Sequence, residues 1–245
     1  MSSKDTGTLE RLAALADGAV TWGGDEAVFA LRRLAPPGCK LMEWGHRLSF
    51  AYVAGYEDRE AEWSALARHI VRTGGLLCSS CQVIYLDTDR PEEAEAFCQA
   101  FLPLLNRAVR ERDRDGAAQA ALYTHTYRLE RLAEGAGDRT WFGEGCSLTL
   151  KPDRELELSP LYGNVLVKCL PREELIPVLR RQKGRLQTAG LLCRPEEREE
   201  LTALLARAGA TRITRAGEMS RTFPGEAHDG EYSLRRYIRL VDIET

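Results

Sequence analysis

The stretch GGLLCSSCQVIYL (residues 74–86) decides the fold of this 245-residue chain. Its second half, Gln82–Leu86, is apolar and rich in β-branched residues, which predicts a buried strand. Its first half, Gly74–Cys81, predicts a tight glycine-rich turn that presents a thiol where the strand begins. Such a turn can expose a side chain together with backbone N–H groups, as a cysteine nucleophile and its oxyanion require.

Outward from this stretch, apolar runs that read as strands alternate with segments of helical periodicity. The predicted strands cover residues 19–22, 40–43, 48–54, 82–86, 148–150, 164–170 and 189–193. The predicted helices cover residues 5–16, 26–34, 59–72, 91–112, 117–133, 172–182 and 195–208. The tail, 234–243, reads as a strand or a mixed segment. This alternation predicts an α/β fold with a mainly parallel sheet flanked by helices.

The composition excludes several classes of protein. The formal net charge of −3 gives no electrostatic reason to expect nucleic acid as a partner. No run of apolar residues approaches the length of a membrane span, and no signal peptide precedes the first predicted helix. Seven cysteines, an odd number, are scattered through a chain long enough to build a core without disulfides. We therefore expect a cytoplasmic protein whose cysteines mostly serve as small core residues.

The pair Cys78 and Cys81 is open to four interpretations. A CxxC motif can be half of a zinc site, but no second CxxC or close histidine pair completes four ligands, so we expect no metal. It can be a redox pair, although such pairs usually open a helix and a strand follows here. Cys78 can be a nucleophile, or both cysteines can simply be buried.

Glu43 ends an apolar strand, beside Trp44 and a turn at Gly45. A carboxylate in that position can be a desolvated general base or merely a surface acid at the end of a strand. The neighbouring His46 is similarly ambiguous, because most single histidines are hydrogen-bonded structural residues.

Taken together, four ordered segments resemble the bacterial luminescence-type acyl-CoA reductases (long-chain fatty-acid reductases) of the aldehyde-dehydrogenase superfamily. The segments are ADGAVTWGGDEA (residues 16–27), WGHRLSFA (44–51), LCSSCQVIYL (77–86) and GEMSRTFPGEAHDGEYSLRRYIRLVDIE (217–244). They are distributed over nearly the whole chain. The sequence departs from the family at Cys81, where the family usually has proline, and at Leu76 and Leu77.

The resemblance implies an aldehyde-dehydrogenase-like catalytic domain with Cys78 as the nucleophile. Glu43 would be the general base, and it stands 35 positions before Cys78, close to the usual spacing in the superfamily. The resemblance also implies an acyl-enzyme that NADPH or NADH reduces to an aldehyde. The substrate would be an acyl thioester of coenzyme A or of an acyl-carrier protein.

Cofactor contacts are implied at two places. Trp22, Gly23 and Gly24 match a turn near the cofactor phosphates, at a helix N-terminus that would favour anions. Glu157 matches a glutamate that contacts the nicotinamide ribose, although Glu155 could be the true counterpart.

The family's full chain is nearly twice as long, and its first half forms most of the dinucleotide-binding domain. Residues 1–37 would therefore be a remnant of that domain, 38–225 the catalytic cysteine domain and 226–245 a strand-like tail. We expect the rest of the nucleotide-binding half on a second polypeptide, or else assembly into a homo-oligomer. A thioesterase or acyltransferase that needs no hydride, and a non-catalytic scaffold, remain alternatives. His228 matches the family too, and we expect it in a structural turn.

Overall fold

The computed structural model describes residues 5–135 and 137–244, which fall into two compact units. The first unit comprises Met1–His46 and Phe223–Thr245, and the second comprises Arg47–Thr222. The predicted divisions after residues 37 and 225 differ from these limits, because the strand after residue 39 pairs within the first unit. That residues 1–37 derive from a nucleotide-binding domain stays a prediction.

The first unit begins with two helix–strand pairs. Its elements are α1 (Thr6–Leu15), β1 (Gly18–Trp22), α2 (Asp25–Leu34) and β2 (Lys40–Trp44). The two strands pair in parallel, with Gly18 opposite Lys40 and Trp22 opposite Trp44. Gly24 is the N-cap of α2, and Asp25 lies in the first turn of the helix.

The tail of the chain packs onto this unit, but not as a strand. It contains a short helix, Ser233–Arg236, and residues 223–244 form no strand. Lys40 Nζ donates to the carbonyl oxygen of Ile238 at 2.8 Å, and Arg239 Nη2 donates to that of Gly38 at 2.9 Å. Of the two predicted possibilities, a strand or a mixed segment, the tail is a mixed segment, because a strand needs a hydrogen-bonding neighbour and the tail is held by side chains instead.

The second unit is built on a sheet of seven strands with helices on both faces. Its elements are β3 (Leu48–Val53), α3 (Arg59–Thr73), β4 (Cys81–Leu86), α4 (Pro91–Arg110), α5 (Arg114–Glu134), β5 (Arg139–Phe142), β6 (Ser147–Leu150), β7 (Asn164–Cys169), α6 (Leu175–Leu179), β8 (Leu186–Leu192), α7 (Arg198–Ala208) and β9 (Arg212–Arg215). The strand order is β5, β6, β7, β4, β3, β8, β9, and β5 alone runs antiparallel to its neighbour. The predicted mainly parallel α/β fold is confirmed.

Burial explains why the central strands read as continuous apolar runs. Every residue of β3, β4 and β8 is buried, as expected when helices cover both faces of a parallel sheet. On one face, α3 and α4 pack through Leu66, Ile70, Phe101 and Leu105. On the other face, α6 and α7 enclose a second apolar cluster. These two clusters hold the loops between strands and helices in place.

The sequence missed the two edge strands, β5 and β9. Each has only four residues and no buried one, so neither shows the apolar run that marks the inner strands. No helix of the described residues is long and apolar enough to cross a membrane. Within the same residues, no cluster of three or more histidine, cysteine or acidic side chains could hold a metal ion.

Lys168 is a fully buried lysine on β7, at a position between apolar residues. Its Nζ donates to Asp153 Oδ1 at 2.5 Å, to Glu157 Oε1 at 2.6 Å and to the carbonyl oxygen of Glu155 at 2.7 Å. A buried ammonium is tolerated only when it is paired in this way. Lys168 therefore anchors the segment 153–157 against the sheet.

The same lysine controls the charge state of the two carboxylates. Burial raises the pKa of Asp153 and of Glu157, but hydrogen bonds from Lys168 and, for Glu157, also from Lys151 outweigh it. Both pKa values therefore lie below the ordinary values. A lowered pKa in the folded protein stabilises it above the unfolded-state pKa, and this stabilisation disappears as the pH falls through the folded-state pKa.

We expect Lys168→Met to lower the free energy of unfolding at pH 7 by about 2 kcal/mol, less than the ~3–5 kcal/mol of a wholly buried pair. The cost is smaller because the Asp153 and Glu157 side chains remain 42% and 39% exposed. Urea unfolding at pH 7 and pH 3 would measure it, with Lys151→Met as the more exposed control. The difference from the unaltered protein should shrink at pH 3, and an equal difference at both pH values would contradict the assignment.

Candidate active site

Cys78 lies in a turn between the end of α3 and the start of β4. Helix α3 stops because Gly74 and Gly75 both adopt left-handed backbone conformations, with φ of 59° and 79°. The side chain of Cys78 is exposed to solvent. The structure thus puts the predicted nucleophile on an accessible turn directly before a buried strand.

Hydrogen bonds fix this turn from several sides. Ser80 donates its N–H to the carbonyl oxygen of Leu77 at 2.9 Å, and Leu77 donates its N–H to Ser80 Oγ at 2.9 Å. Ser49 Oγ on β3 donates to the carbonyl oxygen of Cys78 at 2.6 Å. Ser79 Oγ and Ser220 Oγ lie 2.7 Å apart.

The N–H of Cys78 takes no part in these hydrogen bonds, and it has no acceptor in the described part of the chain. A rigid turn with a free N–H next to an exposed thiol can stabilise an oxyanion that forms at an attacked carbonyl carbon.

The second thiol of the CxxC motif has a different environment. Cys81 is the first residue of β4 and is buried, and its Sγ donates to the carbonyl oxygen of Val83 at 3.4 Å. Burial raises the pKa of Cys81 to about 12. Cys81 therefore remains a protonated core thiol at neutral pH, whereas the exposed thiol is that of Cys78.

Gln82, which the sequence analysis did not single out, joins the turn to the segment that contains Glu157. Its Nε2 donates to the carbonyl oxygen of Gly75 at 2.9 Å. Its Oε1 accepts hydrogen bonds from Ser159 N at 3.0 Å and Ser159 Oγ at 2.9 Å. A polar side chain inside an otherwise apolar strand was the available signal, because a buried amide must find partners.

The backbone after Ser159 is locked against the glycine turn. Leu161 and Tyr162 have φ of 69° and 50°, a conformation that costs a residue with a Cβ about 1–2 kcal/mol. Tyr162 donates its N–H to the carbonyl oxygen of Gly74 at 2.9 Å. A Cβ on Gly75 would lie 2.9 Å from Leu161 Cδ2. The two left-handed segments therefore support each other.

Glu157 does not present a free carboxylate. Its Oε1 accepts from Lys151 Nζ at 2.8 Å and from Lys168 Nζ at 2.6 Å. The alternative residue, Glu155, is linked to Lys168 only through its carbonyl oxygen. Glu157 is therefore connected to the Cys78 turn through Ser159 and Gln82. Its carboxylate is already bound by two lysines.

In the first unit, Glu43 on β2 is bound by Arg32 on α2. Arg32 Nε lies 2.5 Å from Glu43 Oε1, and Nη2 lies 2.7 Å from Oε2. The hydrogen bond from Arg32 lowers the pKa of Glu43, burial opposes it, and the charge of Arg236 lowers it further. Of the two interpretations that the sequence left open, a desolvated base and a surface acid, the lowered pKa gives no support to a base whose pKa is raised by desolvation. That Glu43 is a general base, and that it acts on the same substrate as Cys78, stay predictions.

Trp22, Gly23 and Gly24 lead into α2, as expected from their spacing. The ring of Trp22 stacks on that of Trp44, with centroids 5.8 Å apart. No side chain caps α2, so its first N–H groups could receive an anion, but Asp25 and Glu26 in the first turn oppose negative charge. These residues, with the lysine-bound Glu157, fit only a small part of a dinucleotide.

His228 lies in a turn of the first unit, as expected. Its backbone exchanges hydrogen bonds with Glu231 at 2.8 and 3.0 Å, and its ring packs edge-on against Trp44 at 4.9 Å. These contacts give it a packing role.

We expect Gly75→Ala to lower the free energy of unfolding by about 3 kcal/mol, because it combines an unfavourable left-handed φ, about 1–2 kcal/mol, with overpacking, about 1–3 kcal/mol. Gly184→Ala is the matched control: Gly184 also has positive φ, at 84°, but nothing lies within 4 Å of the added Cβ. It should cost only about 1 kcal/mol. Urea unfolding would measure both, and equal costs would contradict the interlock of Gly75 with Leu161.

Comparison with solved structures shows the fold. The chain is similar to a mutant of proline utilization A from Bradyrhizobium japonicum, with a TM-score of 0.63, 17% identity and coverage of 95% of this chain and 27% of that chain. It is also similar to the Delta-pyrroline-5-carboxylate dehydrogenase from Mycobacterium tuberculosis, with a TM-score of 0.56, 13% identity and coverage of 91% and 48%. The fold is of the aldehyde-dehydrogenase type.

Comparison of sequences shows the family. The chain is 27% identical over 241 residues to a long-chain acyl-protein thioester reductase from Aliivibrio fischeri, covering 96% of this chain and 48% of that protein. It is 27% identical over 238 residues to a protein of the same name from Photorhabdus luminescens, covering 94% and 47%. The chain thus spans about half the length of the curated relatives it matches. The profile described as Acyl-CoA reductase (LuxC) matches residues 2–240, and the chain belongs to that family.

Proposed function

We propose that this chain is the cysteine-bearing catalytic half of an acyl-thioester reductase, in which Cys78 forms the acyl-enzyme. The observation that carries the proposal is the exposed Cys78 on a hydrogen-bonded turn with a free N–H, in a chain of the acyl-CoA reductase family. The relatives' name, long-chain acyl-protein thioester reductase, supports a substrate with a long acyl chain on a thiol carrier.

The first chemical step involves only residues of the second unit. The Cys78 thiol loses its proton, its sulphur forms a bond to the thioester carbonyl carbon, and the N–H of Cys78 donates to the developing oxyanion. The bond from that carbon to the carrier sulphur then breaks, and the carrier leaves as a thiol once it takes up a proton. No net oxidation or reduction occurs in this exchange of one thioester for another.

Glu43 is our candidate for moving protons. Its lowered pKa means that it is ionised at neutral pH, so it can accept a proton, but Arg32 must first release it. Binding of substrate or of a partner would supply that release.

NADPH or NADH would supply the hydride that converts the acyl group to an aldehyde. Within this chain, the N-terminus of α2 after Trp22–Gly24 is the candidate contact for the cofactor phosphates. For Glu157 to bind the nicotinamide ribose, its carboxylate would first have to lose its hydrogen bond from Lys168. Most of the cofactor site would belong to the nucleotide-binding half that the longer relatives contain.

The first unit supports association with that half. Strand β1 pairs only with β2 among the described residues, so one of its edges has no neighbouring strand. Leu15, Val20, Trp22 and Phe29 are exposed around it, at 86%, 40%, 67% and 53%. Such a surface favours a second polypeptide or another copy of the chain.

We expect intact mass spectrometry to show an acyl adduct after incubation with acyl thioesters, and Cys78→Ala to abolish it. Cys81→Ala is the matched control, because the buried thiol of Cys81 should contribute no adduct. A Cys78→Ala protein that still acquires the acyl group would sink the nucleophile assignment.

We also expect the chain alone, given an acyl thioester and either NADH or NADPH, to release no aldehyde, since it lacks most of a cofactor site. Gas chromatography of the products would test this. Aldehyde from the isolated chain would contradict the need for a partner half. Release of free acid, or transfer of the acyl group, would favour the thioesterase or acyltransferase alternative. Absence of any reaction would favour the non-catalytic scaffold.

A further inference from the structure

Two adjoining cavities run along α3 in the second unit. The larger, of about 870 Å³, lies between α3, the start of α5 and the turn at Gly217. The smaller, of about 520 Å³, shares Arg72, Gly217 and Glu218 with it and extends to Leu77, the residue before Cys78. Together they form a groove of mixed polar and apolar lining that extends along α3 from the residue before Cys78.

A buried histidine lines this groove. His69 is 1% exposed, and neither of its ring nitrogens makes a hydrogen bond of normal geometry in the described part of the chain, although the backbone of Ser79 interacts with the ring. Burial and, to a smaller extent, the charge of Arg72 lower its pKa to about 4 against a weaker opposing effect of the Ser79 backbone, so the imidazole is neutral at pH 7 and keeps one N–H donor. A buried polar group without a good hydrogen bond is unfavourable, and a ligand oxygen that accepts from His69 would satisfy it.

Two arginines flank His69 on the same face of α3. Arg68 and Arg72 are four residues apart, which separates them by about 6 Å along the helix axis. Both line the larger cavity and both are exposed, and neither forms an ion pair with a carboxylate of the described residues. Guanidinium groups of this kind bind phosphate oxygens through paired, charge-assisted hydrogen bonds.

Acidic side chains also line the larger cavity, but none of the described ones forms an ion pair with Arg68 or Arg72. Asp113 accepts the N–H of Gly116 at the start of α5, and Glu218 pairs with Arg221 at 2.9 Å. Glu111 and Asp115 are exposed, where solvent screens their charge.

The geometry points to this groove as the subsite for a phosphate group of the thiol carrier, held by Arg68 and Arg72 with a hydrogen bond from His69. The inference rests on the proposed function, because it assigns the carrier end of the same substrate. A pantetheine arm separates the thioester from the nearest phosphate in coenzyme A and in acyl-carrier proteins alike. A phosphate site must therefore lie away from the Cys78 sulphur, at the far end of a path such as this groove.

The test compares thioesters that have the same acyl group and differ in phosphate. Butyryl-coenzyme A, butyryl-4′-phosphopantetheine and S-butyryl-N-acetylcysteamine contain three, one and no phosphates. The rate of Cys78 acylation is followed by mass spectrometry over a range of concentrations, for the unaltered chain, for Arg68→Ala with Arg72→Ala, and for Arg207→Ala. Arg207, exposed on α7 across the sheet, is the control for removing an arginine outside the groove.

We expect the double variant to need about tenfold more butyryl-coenzyme A for half-maximal acylation, with no change for S-butyryl-N-acetylcysteamine or in Arg207→Ala. An equal effect on the phosphopantetheine thioester would assign the site to the phosphate that coenzyme A shares with carrier proteins. An effect on coenzyme A alone would assign it to the nucleotide phosphates. Equal behaviour of the double variant and the unaltered chain with all three thioesters would overturn the inference.

Acylation by none of the three would contradict the proposed function and not this inference, so coenzyme A binding is also measured directly by calorimetry. Binding that weakens about tenfold in the double variant, and not in Arg207→Ala, would support the phosphate subsite without any acylation. Absence of binding, or equal binding by all three proteins, would refute it.

Discussion

The side-chain amide of Gln82 joins the glycine turn before Cys78 to Ser159, which lies 77 residues after Gln82 in the sequence. It donates to the glycine turn before Cys78 and accepts two hydrogen bonds from Ser159, which follows the lysine-bound Glu157. Because the amide is buried on a central strand, each of these bonds must be satisfied from within the protein. The position of the Cys78 turn therefore depends on segments more than seventy residues away.

Local backbone strain is part of the same construction. Leu161 and Tyr162 adopt left-handed conformations that are unfavourable on their own, and they are held by Asn164 and by the carbonyl oxygen of Gly74. Strain of this kind persists only where the surroundings determine the backbone fully, and it is often found at functional sites. Here the strained segment contacts Gly74 and Gly75, at the start of the turn that contains Cys78.

Two of the carboxylates singled out by resemblance, Glu43 and Glu157, are engaged by cations. Glu43 is bound by Arg32, and Glu157 by Lys151 and Lys168. Their ion pairs lower the pKa of both groups, so they are ionised but restrained. By contrast, Arg68 and Arg72 on α3 have no carboxylate partner among the described residues. In our proposal a phosphate of the substrate's carrier pairs with these two arginines, and the nucleotide-binding half of the longer relatives completes the cofactor site.

The sequence by itself determined the α/β class, the inner strands and the position of Cys78 before β4, because apolar runs and glycine turns are local signals. It could not reveal β5, β9 or the helix in the tail, since short exposed segments have no such pattern. Nor could it show that Gln82 holds the turn, that His69 is buried without a hydrogen bond of normal geometry or that Arg32 lowers the pKa of Glu43. Those properties depend on which side chains meet across the fold, and only the tertiary structure decides that.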